Sequence, residues 1–80
     1  MLNINERVKK DFILLGQHIK KLREDRNLTI KDLAEKTGIR VQYLQKIEAG
    51  KAYGVRFEKH LCKISKALFV NFAEIFNFNQ

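Results

Sequence analysis

The apolar positions of the chain fall into short runs at helical spacing. Val8, Phe12, Leu15, Ile19 and Leu22 advance by four, three, four and three residues, so they share one face of a helix. That helix is predicted from about Glu6 to Asp25, with Asn27 as a left-handed terminator. Thr29 followed by Asp32 has the form of a capping box. It opens a second helix whose inner face carries Leu33 and Ala34 and whose end is marked by Gly38. A third helix is predicted from about Val41 to Glu48 and is closed by Gly50. Phe57, Leu61, Ile64 and Leu68 step by four, three and four and define a fourth. Asn71, with Glu74 at the third position, caps a short fifth helix expected to bury Phe72, Ile75 and Phe76.

Nothing in the chain alternates with the period of a strand, and it lacks proline, internal repeats and low-complexity linkers. Eighty residues suit one domain, since typical domains run to about 100–150. The expectation is an all-α fold, a compact five-helix bundle spanning residues 1–80.

Charge changes the picture. Sixteen Lys and Arg against nine Asp and Glu leave a net +7, which suits a polyanionic partner through steering and counterion release. Many soluble proteins are basic without binding nucleic acid, so the charge needs a docking element beside it. The single cysteine, Cys62, excludes a disulfide framework and fits a reducing cytoplasm. The first residues lack the apolar run of a signal peptide. No apolar run is longer than that from Phe12 to Leu15, which is far too short to span a bilayer, so no membrane association is expected.

Residues 29–51 supply the docking element. Two short helices flank a tight turn: Ala34 is small where the second helix nears the third, Gly38 allows a left-handed backbone, and Ile39, Leu44 and Ile47 anchor the third helix. This order of small, glycine and apolar positions is the helix-turn-helix pattern. Opposite Leu44 and Ile47, at 100° per residue, lie Val41, Gln42, Gln45, Lys46 and Ala49. That stripe contains no carboxylate for a phosphate to repel. Gln pairs bidentately with adenine, Lys reaches guanine acceptors, and Val contacts a thymine methyl.

The stretch from about Leu15 to Phe76 resembles the phage repressor and Cro class of helix-turn-helix regulators, the XRE type. The carriers are LGQHIKKLRED, LTIKDLAEKTGI, YLQKIEAGK, HLCKISKALFV and FAEIF, in the order of the class's five helices. The resemblance implies a sequence-specific regulator of double-stranded DNA, acting as repressor or controller, with its third helix in the major groove, usually as a homodimer. It puts Val41, Gln42, Gln45 and Lys46 at base-facing positions. It makes Thr29, Arg40, Tyr43, Lys51, Tyr53 and Arg56 candidates for backbone phosphate. Arg23 and Glu48 match a pair that bridges the first and third helices and has a structural role. Two departures stand out. Ile30 replaces the Gln with which the class grips phosphate, and Phe69 stands where the class has Gly. A Phe disfavours the left-handed conformation, so that corner is expected to turn differently.

Two Tyr and six Phe are present, and Phe69, Phe72, Phe76 and Phe78 crowd the C-terminal end. They are candidates for a dimer interface. His60 and Cys62 lie about 200° apart on a helix, and two His with one Cys do not make a structural zinc site. No nucleophile triad or phosphate-cradling glycine loop can be assembled. No metal, cofactor, small-molecule ligand or enzymatic activity is therefore expected. A second reading is a protein-interaction module, because TGIRVQYLQKIE is also similar to the cytoplasmic helix-turn-helix domain of a bacterial cell-shape protein.

Overall fold

The computed structural model describes residues 6–52 and 57–77. They form five helices: α1 Glu6–Asp25, α2 Ile30–Thr37, α3 Val41–Glu48, α4 Phe57–Ala67 and α5 Phe72–Ile75. Among the described residues no helix is long and apolar enough to cross a membrane.

Each boundary has a local cause. Thr29 Oγ1 accepts the Asp32 N–H at 3.0 Å while the Asp32 carboxylate accepts the Thr29 N–H at 2.9 Å, and this reciprocal pair starts α2. Asn71 starts α5 by accepting the Glu74 N–H at 3.0 Å. α1 stops at Asn27, whose φ is 57°, with the Leu28 N–H bonded back to the Arg23 carbonyl. Gly38, at φ 74°, closes α2 through its N–H to the Ala34 carbonyl.

The core is built from Leu15 and Ile19 of α1, Leu33 of α2, Leu44 and Ile47 of α3, Leu61 and Ile64 of α4, and Ile75 of α5, joined by Ile39, Ala52 and Leu68. Burying each such Leu or Ile stabilises the fold by about 2 kcal/mol. α1 packs on α3 and α5, α2 lies between α3 and α4, and α5 folds back against α4. Polar ties lock the joints. His18 Nε2 bonds to the Glu74 carbonyl at 2.9 Å, fixing α5 on α1. Arg26 donates through Nε to the Leu68 carbonyl and through Nη1 to the Leu22 carbonyl, so the ends of α1 and α4 are tied by one guanidinium.

Val8 keeps its place on the apolar stripe of α1, though it is 37% exposed. The structure corrects two expectations. Phe76 is not buried by α5. It caps that one-turn helix at its C-terminal end and is 44% exposed. The corner at Phe69 does not avoid the left-handed conformation but adopts it, with φ at 59°. Phe69 N–H bonds to the Lys66 carbonyl and Val70 N–H to the Ser65 carbonyl, which is a Schellman closure of α4. Pairing two otherwise orphaned helix carbonyls offsets the steric cost of a side chain at that φ.

Candidate nucleic-acid interface

α3 is short and must be held from behind to present a defined face. Two glycines let the backbone of α1 approach its C-terminal end. A Cβ on Gly16 would stand 2.6 Å from the Glu48 carbonyl oxygen, and closer still to that of Ile47. A Cβ on Gly50 would stand 2.6 Å from Ile13 Cα, and the φ of 75° at Gly50 is itself one that L side chains rarely adopt. Neither contact is visible in the sequence, where the one signal is Gly16 standing alone inside a helical pattern, since a helical glycine often marks a packing requirement.

An ion pair completes this joint. Arg23 on α1 reaches Glu48 on α3 with Nε at 2.8 Å and Nη2 at 3.0 Å, and its Nη1 donates to the Leu28 carbonyl at 2.8 Å. The two side chains are only 10% and 8% exposed. Hydrogen bonding to the Glu48 carboxylate, more than the charge of Glu48, raises the Arg23 pKa above its ordinary value despite burial. Glu48 is the only carboxylate in α3, and this contact turns it inward.

The outward side of α3 is what remains. Gln42, Gln45 and Lys46 are exposed and Val41 is half-buried beside them, while Leu44 and Ile47 are in the core. Arg40 precedes the helix and is exposed. Its side chain makes no capping bond. Lys51 is exposed past the C-terminus, where its N–H bonds to the Lys46 carbonyl at 2.8 Å. Tyr43 is half-buried, with its ring edge-on to His60 of α4, centroids 4.8 Å apart. Thr29 is exposed at the start of α2. The Thr29 amide, and after it the Thr29 hydroxyl, hold the Asp32 carboxyl below its ordinary pKa. Tyr53 and Arg56 lie outside the described residues, as does Phe78.

The two amides, the one cation and the apolar side chain of Val41 share one side of α3, and its single acid is withdrawn from them. Such a surface offers donors and acceptors to base edges and positive charge to phosphates.

The fold is similar to those of solved regulators. The chain is similar to the restriction-modification controller protein C.AhdI from Aeromonas hydrophila, with a TM-score of 0.76 and 24% identity over 82% of this chain and 97% of that one. It is similar to the clp gene regulator ClgR from C. glutamicum, with a TM-score of 0.75 and 24% identity over 84% and 83% of the two chains. An HTH_3 family transcriptional regulator from Vibrio cholerae gives a TM-score of 0.78 and 25% identity over 89% of this chain, which spans 39% of that larger protein. Among curated proteins no sequence matches. The family model of the Cro/C1-type helix-turn-helix DNA-binding domain matches residues 18–80, and the chain belongs to that family of DNA-binding regulators.

Proposed function

We propose that this chain is a sequence-specific repressor or controller that lays α3 in the major groove of double-stranded DNA and acts as a homodimer. The observation that carries the reading is the exposed, acid-free stripe of Gln42, Gln45 and Lys46 with Val41 at its edge. These four are the base readers. Arg40 and Lys51, at the two ends of α3, are placed for phosphates on either side of the groove, and Tyr43 contributes from the flank nearest α4. At the start of α2 the capping box takes the Thr29 and Asp32 amides, so a phosphate there would be met by the Ile30 and Lys31 amides. Phe72 of α5, Phe76 at its C-terminal cap and the exposed Phe69 contribute to the contacts through which two copies pair.

The test is selection of bound sequences from random duplexes, followed by gel shifts at several salt concentrations. Neutralising six phosphates gives a logarithmic salt slope near about −5. Gln42→Ala relaxes preference at one base pair, whereas Lys51→Ala weakens all duplexes alike and makes the slope shallower by about one. A chain that leaves duplexes unbound at low salt, yet holds one protein partner tightly, is instead an interaction module on the same scaffold.

A further inference from the structure

The C-terminal phenylalanines do not form one patch. Phe72 and Phe76 stack edge to face, centroids 5.1 Å apart, and line one side of an open groove of about 600 Å³. Phe12 and Phe57, 5.3 Å apart, line the same groove with Leu15 and Leu61 beneath them. Two carboxylates, Asp11 of α1 and Glu58 of α4, also line it. Phe69 is not part of this cleft. It stands on the corner between α4 and α5, 85% exposed.

Closing α4 needs a left-handed residue at 69, but it does not need the phenyl that Phe69 carries there. Its left-handed backbone is one that glycine adopts freely and that costs an L residue about 1–2 kcal/mol. Its ring stays in water and gives none of the stabilisation that burying a phenyl supplies. Asn27 makes the equivalent turn after α1 with a short polar side chain, whereas Phe69 puts a large apolar one on the surface. The chain leading to the corner is cationic. Lys63 and Lys66, three residues apart on the outer face of α4, are both exposed, and the Lys66 carbonyl accepts the Phe69 N–H.

The molecule therefore bears an apolar knob flanked by lysines and an apolar groove flanked by carboxylates. The helices that meet at the knob, α4 and α5, also furnish groove walls. We propose that two copies pair by exchange: Phe69 of each enters the groove of the other, and Lys63 and Lys66 approach Asp11 and Glu58 across the contact. A two-fold axis makes the two contacts identical, as an isologous dimer requires. A cleft of this size lies within the range of about 300–1,000 Å³ typical of sites that enclose whole ligands, so a benzyl group and its neighbours fit. The proposal rests on the pairing reading above and specifies what holds the pair.

Sedimentation of the full chain without DNA tests it. Phe69→Gly removes the knob and also suits the backbone, so the monomer stays folded while self-association weakens about a hundredfold, as for a central aromatic anchor. Lys63→Glu with Lys66→Glu, and separately Asp11→Lys with Glu58→Lys, each weaken pairing. Mixing these two charge-reversed chains restores a heterodimer of wild-type strength, because both contacts of the mixed pair regain opposite charges. Wild-type pairing by Phe69→Gly, or a mixture no stronger than its parents, overturns the exchange while leaving pairing intact. A wild-type chain that stays monomeric at about millimolar concentration overturns pairing and exchange together, and gel shifts then decide the DNA reading separately.

Discussion

The joint between α1 and α3 and the corner between α4 and α5 treat polar and apolar groups in opposite ways. At the joint, a nearly buried guanidinium donates to a carboxylate twice and to a carbonyl once, and Gly16 lets two backbones close to a distance that forbids a side chain. At the corner a phenyl points into water from a left-handed residue, beside a groove left open. The difference teaches where the molecule requires a fixed geometry and where it keeps surface in reserve. Removing groups from the joint should therefore destabilise the chain, and simplifying the corner should not.

The largest effect is expected from Glu48→Ala, which strands Arg23 without its partner and costs about 3–5 kcal/mol in a denaturant titration. Replacing Arg23 and Glu48 together by Leu recovers most of that loss. If the double variant is as unstable as the single one, packing and not charge holds the joint. Next comes Gly16→Ala, whose methyl meets the Ile47 and Glu48 carbonyls. It lowers stability by about 2 kcal/mol and weakens DNA binding by displacing α3. Unchanged stability in this variant would show that the approach of α1 to α3 is not a tight one. Phe69→Gly has the opposite sign: a monomer more stable by about 0.5–1 kcal/mol in the same titration, since the left-handed residue no longer carries a Cβ. A loss there would mean that the Phe69 ring contributes to folding after all.

The smallest effect comes from the capping box. The Asp32 pKa is depressed in the folded chain, so the stability it contributes is complete above the ordinary carboxylate range and is lost as pH falls through the depressed value. Thermal melts between about pH 5 and pH 2 should fall more steeply for the wild type than for Asp32→Asn. Parallel curves for the two proteins would remove the cap from the account.

Much of the fold could be read from the residues themselves. The steps of three and four in α1 and α4, the Thr29–Asp32 box and the Asn71 cap each encode a local structure that tertiary packing then leaves in place. The stripe on α3 was equally legible, because burial of Leu44 and Ile47 fixes by geometry what faces outward. The Arg23–Glu48 pairing was not. Residues 25 apart in sequence meet only through the crossing of two helices, and it was the resemblance to known regulators that pointed to them. Gly16 signals a packing requirement without naming what it meets, since the carbonyls it admits belong to another helix. Phe69 was misjudged because the steric rule considers one residue, whereas the closure of α4 involves two hydrogen bonds that the rule does not weigh. The separation of Phe69 from Phe72 and Phe76 likewise depends on the turn after α4, and sequence proximity suggested a single cluster.

The bond from His18 to the Glu74 carbonyl has one more consequence. α5 has only four residues and would fray if left to itself, but it is clasped by the same helix that grips α3 through Arg23. In a pair joined at α5, the two reading helices would thus sit at a set span, with little give between them. Such an assembly would work as a ruler: an operator lengthened by a single base pair between its halves would turn one half out of phase by about 34–36°, one part in the 10–10.5 base pairs of a helical turn, and would be refused.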